Sequence, residues 1–141
     1  MKIAIASDHA GYAMKEQIKE YLKSKGVEYI DFGTDSEASV DYPVFAKKAA
    51  AAVTGGEAEK GILVCGTGIG MSIAANKIKG IRAASITNEY SAEMSRRHND
   101  LNMLCLGGRV LGIELAKRIT DIFLDTPFDG GKHSRRVDMF E

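Results

Sequence analysis

Residues 61–70 read Gly-Ile-Leu-Val-Cys-Gly-Thr-Gly-Ile-Gly, an apolar run that ends in a cysteine and continues into a loop with glycine at alternate positions. A short apolar run followed by glycine is typical of a buried strand, and the pattern after Gly70 is typical of a helix. Other apolar runs predict four more buried strands, over residues 2–7, 27–32, 82–86 and 103–106. The glycine loop thus lies at a junction between a strand and a helix.

Helical patterns alternate with these strands along the chain. Apolar residues at helical spacing predict a first helix that ends at Gly26, and Pro43 predicts the start of a second helix that ends at Gly55. Further helices are predicted over residues 70–79, 90–98 and 111–124. This alternation predicts one α/β domain over residues 1–141, with a Rossmann-like, doubly wound, five-stranded parallel sheet between two layers of helices. The tail, residues 128–141, has no strand to follow and is predicted to contact a neighbouring subunit.

The composition excludes several classes of function. Lys plus Arg equals Asp plus Glu at 19 each, so the chain has no overall positive charge with which to bind nucleic acid or an anionic membrane surface. No apolar run approaches the ~20 residues of a membrane span, and the first residues do not resemble a signal peptide. We therefore expect a cytoplasmic protein that binds neither nucleic acid nor a membrane.

Polar or glycine-rich segments follow the first and third predicted strands. Ser7, Asp8 and His9 follow the first, and the loop at residues 66–70 follows the third. In doubly wound sheets the ligand binds beyond the carboxyl ends of the strands, where the strand order reverses, commonly between strands 1 and 3. We therefore expect both segments to line one cleft, although Asp8 and His9 would also suit the start of a helix.

Cys65 is the candidate reactive group. It stands just before the first N–H groups of a helix, where a cysteine ionises more readily than a free one. A small buried core residue is the alternative interpretation, because free cysteine is among the most buried residue types. The glycine loop that follows favours a reactive thiol at Cys65, whereas Cys105, inside the apolar run 103–106, is expected in the core.

The loop at residues 66–70 predicts an anion site. Its glycines let backbone N–H groups converge on a phosphate, a carboxylate or a developing enediolate at a helix N-terminus. A tight turn that needs positive φ is the alternative. The spacing matches neither a Walker loop nor a dinucleotide fingerprint. Met71 stands where a tyrosine phosphatase would carry Arg, and Cys65 stands where a receiver domain would carry Asp.

Basic residues supply further candidates. Arg109 follows the fifth strand and is expected to face the same cleft. His98 ends the fourth helix, where a cationic side chain also suits the helix dipole. Lys132, Arg135 and Arg136 form a dense basic cluster, which is either a phosphate site or a solvated tail.

Seven segments, taken together and in order, are recognisable: residues 7–11, 40–43, 65–70, 72–77, 80–83, 98–100 and 130–133. They cover essentially the whole chain and resemble the type B ribose-5-phosphate isomerases of the ribose/galactose isomerase family. The resemblance implies an aldose-ketose isomerase of the pentose phosphate pathway, without metal or cofactor, that interconverts D-ribose 5-phosphate and D-ribulose 5-phosphate through a cis-enediolate. It also implies a homodimer or homotetramer with the site at the subunit interface.

The resemblance also implies roles for single residues. Cys65 would take the proton from C2 and return it to C1, and Thr67 and His98 would open the furanose ring. The other positions are substrate hydroxyl contacts at Asp8 and Asn99, a pocket wall at Tyr42, enediolate stabilisation by the backbone of Gly66, Gly68, Ile69 and Gly70, phosphate contacts at His9, Arg109, Lys132 and Arg136, and support of the loop by Asn76. Lys132 departs from the family, which often has Arg there, and a lysine cannot form a bidentate fork to phosphate.

Two alternatives remain open. An isomerase of a six-carbon phosphate, allose 6-phosphate or galactose 6-phosphate, would use the same residues in a longer pocket. A non-catalytic phosphate-binding module would need the glycine loop but no reactive thiol.

Overall fold

The computed structural model describes residues 1–140. Its elements follow in the order β1 (Lys2–Ser7), α1 (Tyr12–Ser24), β2 (Glu28–Asp31), α2 (Tyr42–Thr54), β3 (Lys60–Cys65), α3 (Ile69–Asn76), β4 (Ala83–Ser85), α4 (Glu89–Arg97), β5 (Met103–Gly107), α5 (Ile113–Asp125) and α6 (Lys132–Asp138). The predicted strands and the first five helices are confirmed, with ends that differ by a few residues. Among residues 1–140, each helix is too short or too polar to cross a lipid bilayer.

The strands form one parallel sheet in the order β2-β1-β3-β5-β4, which confirms the predicted fold class. The strand order reverses between β1 and β3, whose carboxyl ends lie side by side because Ser7 pairs with Val64. β5 lies between β3 and β4, a placement that the sequence pattern does not predict. As a result Cys65 pairs with Gly107 across the sheet.

The core is divided in two by the alternation of side chains along the central strands. Ile3 and Ile5 belong to a cluster that includes apolar residues of α1 and α5. Ala4, Ala6 and Cys65 belong to the opposite cluster, with α2 and α3. Because the sheet is covered on both faces, its strands read as nearly continuous apolar runs.

The tail contains a helix that the sequence pattern does not predict. α6 begins after Gly130 and Gly131, whose φ angles are 68° and 57°, and it has no buried residue. Without an apolar stripe, hydrophobic periodicity gives no sign of such a helix. The N–H of Asp129 donates to the carbonyl of Arg97 at 3.0 Å, which attaches the tail to the end of α4. The predicted tail also includes Glu141, which lies outside the described residues.

Lys15, on α1, has no solvent exposure. Its Nζ donates to both carboxylate oxygens of Asp31 at 2.8 Å and to the carbonyl of Thr34 at 2.6 Å. The Thr34 N–H in turn donates to the carbonyl of Ser7 at 2.8 Å. The buried ammonium therefore fixes the segment after β2 against the end of β1, next to Asp8.

This ion pair predicts an acid-sensitive contribution to stability. Burial alone would raise the pKa of Asp31, but hydrogen bonds from Lys15, from Lys19 and from the Gly33 N–H outweigh burial and lower it. Since the folded pKa lies below the unfolded value of about 3.9, Asp31 stabilises the fold above that value. The contribution is lost as the pH falls through the folded pKa.

Asp31→Asn should therefore lower the free energy of unfolding by about 3 kcal/mol at pH 7, because it leaves the Lys15 ammonium buried without its carboxylate. The figure is at the low end for a buried pair since a quarter of the Asp31 side chain is exposed. Urea unfolding of both proteins should show this difference shrinking towards pH 2. A difference that does not change with pH would contradict the assignment.

Candidate active site

The ends of β1, β3 and β5 contact one another at the carboxyl edge of the sheet. The N–H of Asp8 donates to the carbonyl of Val64 at 3.1 Å, and the N–H of Gly108 donates to the carbonyl of Cys65 at 2.7 Å. A Cβ on Gly11 would lie 2.3 Å from the Val64 oxygen, so this approach requires glycine. The segments that follow these three strands therefore line a single cleft, which is named the carboxyl-edge cleft below.

Cys65 ends β3 at this edge of the sheet, with 5% of its surface exposed. Its Sγ accepts a hydrogen bond from the N–H of Gly68 at 3.1 Å. Gly68 has a φ of 81° and precedes the first turn of α3, so the sulfur faces the start of a helix. A donor N–H and a helix N-terminus both stabilise negative charge on a nearby atom. The arrangement is suited to a sulfur that accepts a proton.

The other cysteine has a different environment. Cys105 is completely buried among apolar side chains of the α2 and α3 face. Burial, with a smaller contribution from the neighbouring Cys65, raises the pKa of Cys105 well above its ordinary value. Its thiol therefore stays protonated in the core.

The glycine loop is held from the side of β4. The hydroxyl of Ser85 donates to the carbonyl of Thr67 at 2.9 Å, and a Cβ on Gly68 would lie 2.7 Å from the same hydroxyl oxygen. Sequence reasoning missed Ser85, because its approach to the loop depends on the position of β5 between β3 and β4. Thr67 itself is exposed at the cleft, and its Oγ1 accepts from the N–H of Ile69 at 3.2 Å.

The expected support of this loop by Asn76 is wrong. The Asn76 amide exchanges two hydrogen bonds with the backbone of Ala83, each 2.8 Å long. Asn76 is the last residue of α3, whereas the loop precedes the first. The side chain therefore ties the end of α3 to the start of β4.

The remaining predicted residues of the carboxyl-edge cleft surround the loop. Arg109 lies against Gly66, since a Cβ on Gly66 would lie 3.8 Å from its Nη1. Tyr42 packs on Gly70, where a Cβ would lie 2.7 Å from the phenol ring. These contacts place one cation and one aromatic wall beside the loop.

Asp8 and His9 follow β1 at the same edge of the sheet. Asp8 is 6% exposed, and its Oδ1 accepts from the N–H of Gly11 at 3.0 Å. Nδ1 of His9 accepts from the N–H of Val40 at 3.2 Å, so in the neutral ring Nε2 carries the proton. His9 can therefore donate a hydrogen bond from Nε2.

A second group of predicted residues surrounds the end of α4. The rings of His98 and His133 stack with centroids 4.2 Å apart and an angle of 10° between the planes. Lys132 and Arg136 are exposed on α6, the helix that carries His133. Partial burial and the positive charges of this group lower the pKa of His133. The cluster is suited to an anion.

Within one chain, this second group lies at the opposite edge of the sheet from Cys65. The N–H of Gly61, near the start of β3, donates to the carbonyl of Asn102 at 2.9 Å. The four residue-to-residue steps from Gly61 to Cys65 span about 13 Å, and His98 precedes Asn102 by a further turn of chain. Asn99 lines a separate cavity of about 680 Å³, between the end of α3, β4 and α4. One chain alone therefore does not bring His98 and Asn99 to Cys65.

Among residues 1–140, one group of three possible metal ligands has its ligand atoms within 4.8 Å of one another: His98, Asp129 and His133. Asp129 is already paired with Arg97, whose Nε lies 3.2 Å from Oδ1. Lone pairs in the planes of two stacked rings run side by side and do not converge on one ion. The geometry and the adjacent cations favour an anion over a metal here.

The two cysteines should differ in reactivity toward a thiol reagent. We expect iodoacetamide to label Cys65 before Cys105, because only Cys65 reaches the cleft and faces hydrogen-bond donors. A sugar phosphate should protect Cys65 from labelling. Mass spectrometry of the alkylated peptides gives the order, and faster labelling of Cys105 would contradict the burial argument.

Comparison with known proteins identifies similar chains of nearly the same length. The family model described as Ribose/Galactose Isomerase matches residues 3–140. Ribose-5-phosphate isomerase B of Escherichia coli (strain K12) is 52% identical over 137 residues, which are 97% of this chain and 92% of that protein. The solved structure of Clostridium thermocellum Ribose-5-Phosphate Isomerase B is 56% identical, with a TM-score of 0.98 and coverage of 99% and 94%. Galactose-6-phosphate isomerase subunit LacB of Clostridium acetobutylicum is 42% identical over 137 residues, 97% of this chain and 79% of that protein.

Proposed function

Since the chain belongs to the Ribose/Galactose Isomerase family, we propose that it interconverts D-ribose 5-phosphate and D-ribulose 5-phosphate through a cis-enediolate, with Cys65 as the base. The family match confirms the resemblance inferred from sequence, and the chain is an isomerase. The hydrogen bond from the Gly68 N–H to the Cys65 sulfur carries the assignment of the base. The free thiols of Cys65 and Cys105 suit a reducing compartment, the cytoplasm.

The proton transfer needs a base and a stabilised oxyanion. The Cys65 thiolate takes the proton from C2 of the open-chain aldose, the C1–C2 double bond forms, and negative charge moves to O1. The Cys65 thiol then returns the proton to C1, and the proton of O2 moves to O1, which gives the ketose. Backbone N–H groups of Gly66, Gly68, Ile69 and Gly70 stabilise the enediolate at the start of α3, and those of Gly68 and Ile69 are shared with Cys65 Sγ and Thr67 Oγ1.

Ring opening and substrate binding precede this transfer. Thr67 and His98 open the furanose by moving the proton of the O1 hydroxyl to O4. Asp8 and Asn99 hold substrate hydroxyls, and Tyr42 closes one side of the pocket. The phosphate is held by His9, Arg109, Lys132 and Arg136. Fixing the phosphate places C2 relative to the thiolate, which removes much of the entropy cost of the reaction.

A second copy of the chain completes the site. Cys65 and Arg109 lie at the carboxyl edge of the sheet, whereas His98, Lys132 and Arg136 surround the end of α4 at the other edge. Exposed apolar side chains at the cleft give a partner a surface to contact: Ile69, Ile73, Tyr42 and Val44 are 56%, 57%, 40% and 49% exposed. A two-fold dimer places the end of α4 of each chain over the cleft of the other, so that both sites form at once. The tail at residues 128–141 contributes to this contact, and a homotetramer would contain two such dimers.

Isomerisation of three sugar phosphates tests the proposed reaction. Purified protein with chelator present should convert ribose 5-phosphate with a higher kcat/KM than allose 6-phosphate or galactose 6-phosphate. Preference for a six-carbon substrate would support the alternative to which the similarity with the Clostridium acetobutylicum subunit points. Absence of turnover on all three would support the phosphate-binding module instead.

A further inference from the structure

The turn that follows α4 has an unusual backbone. Asp100 has a φ of 49°, the single positive φ outside glycine among residues 1–140. The left-handed conformation is unfavourable for most residues, and Asp and Asn tolerate it best. The turn links His98, the C-cap of α4, to Leu101, which is 3% exposed. His98 and Asn99 therefore belong to a turn that is fixed at both ends.

Every polar atom of Asp100 has a hydrogen-bond partner within the chain. Its Oδ1 accepts from Nη1 of Arg96 at 2.9 Å, and its Oδ2 accepts from Nη2 of Arg82 at 3.2 Å. Its carbonyl accepts from Nε of Arg82 at 2.7 Å, and its N–H donates to the carbonyl of Arg96 at 3.3 Å. Both carboxylate bonds are charge-assisted, which makes them stronger than neutral ones. The left-handed turn is thus held by two arginines.

The same arginines are themselves immobilised. Arg96 is 6% exposed and also donates to the carbonyls of Leu101 at 2.6 Å and Thr126 at 3.0 Å. The backbone N–H of Arg82 donates to Oδ1 of Asn102 at 2.8 Å. Because Thr126 begins the segment that leads to α6, Arg96 links the turn to the tail that carries His133. The clamp, defined as Asp100 with Arg82 and Arg96, joins β4, α4 and the tail.

We propose that Asp100 is a positioning residue that directs His98 and Asn99 towards the substrate in the cleft of the partner chain. The proposal rests on the proposed function, in which His98 takes part in ring opening. Asp100 itself faces its two arginines and acts through His98 and Asn99. Without the carboxylate, the left-handed turn loses both charged contacts, and the two side chains lose their fixed direction.

Asp100→Ala tests the proposal, with Asp121→Ala as the matched control. Asp121 is also a carboxylate with two partners, Tyr21 and Lys25, but it joins α5 to α1 and has no hydrogen bond to Asp100, Arg82 or Arg96. Asp100→Ala should lower kcat/KM for ribose 5-phosphate by about 10- to 100-fold, since small displacements of reacting groups have effects of this size. Asp100→Asn, which keeps the preference for the left-handed turn, should recover part of the loss. Asp121→Ala should lose stability but keep its turnover.

A double-mutant cycle separates positioning from general damage. If Asp100 acts mainly through His98, Asp100→Ala should have little further effect in a His98→Asn background. Equal losses in both backgrounds, or a loss no larger than that of Asp121→Ala, would overturn the proposal.

A structural readout keeps this result separate from the fate of the proposed function. The ring-proton NMR signals of His98, shielded by the stacked His133 ring, should shift in Asp100→Ala and stay in place in Asp121→Ala. This expectation holds whether or not the wild type turns over ribose 5-phosphate. Unchanged His98 signals in Asp100→Ala would overturn the positioning role. A wild type without turnover would overturn the proposed function alone.

Discussion

Cys65→Ala should keep the fold and lower kcat/KM for ribose 5-phosphate by about 10²–10⁴-fold, the range that a positioned acid or base contributes. The side chain is small, and within the described residues its one hydrogen bond comes from the Gly68 N–H, so its removal disturbs little packing. Circular dichroism and thermal unfolding would establish that the variant is folded. Near-normal turnover in a folded Cys65→Ala protein would refute the assignment of the base.

Cys105→Ala is the control for this variant. Both cysteines belong to the same core cluster on the α2 and α3 face of the sheet, but Cys105 has no exposed surface. Its loss leaves a small cavity and should cost about 1 kcal/mol of stability. Turnover should stay close to that of the wild type. The pair of variants therefore separates loss of a core thiol from loss of the base.

His98→Asn should have the second largest effect, and the effect should depend on the form of the substrate. Ribose 5-phosphate is mostly a furanose closed through O4, whereas its 4-deoxy analogue lacks O4 and stays open. We expect the variant to lose about 10²-fold in kcat/KM on ribose 5-phosphate, as for loss of one acid-base group, and only a few-fold on the analogue. Each loss is measured against the wild type with the same substrate. Equal losses on both substrates would remove His98 from ring opening.

The sequence predicts those site residues that stand directly after the ends of strands. Buried strands and glycine junctions identify the segments after β1 and β3, and the rule for doubly wound sheets places Asp8 and Cys65 in one cleft. The identity of the base depends on this local pattern, a cysteine directly before a glycine loop and a helix. No distant contact is needed to make the prediction.

The rest depends on contacts between segments that are far apart in sequence. The contact of Ser85 with the glycine loop depends on the strand order, in which β5 lies between β3 and β4. No local sequence pattern specifies that order. α6 has no apolar stripe, so hydrophobic periodicity predicts neither this helix nor the stacking of His133 on His98. Asn76 was assigned to the wrong partner because the length of α3 separates it from the loop.

The separation of the two residue groups is the most informative difference. The family resemblance assigns His98 and Lys132 to the same site as Cys65, but the sheet holds them at opposite edges of one chain. A site that uses all three therefore needs two chains, and this requirement joins the chemistry to the oligomeric state. In the proposed dimer, the residues named at the end of α4 would act on the substrate of the partner.

The most direct test of this account is the activity of a purified heterodimer with one Cys65→Ala chain and one His98→Asn chain, each carrying a different tag. One of its two sites combines the intact Cys65 of one chain with the intact His98 of the other, and the second site lacks both. We predict about half the wild-type turnover of ribose 5-phosphate per dimer, although each mutant homodimer is nearly inactive. A heterodimer as inactive as the two homodimers would contradict a site built from both chains.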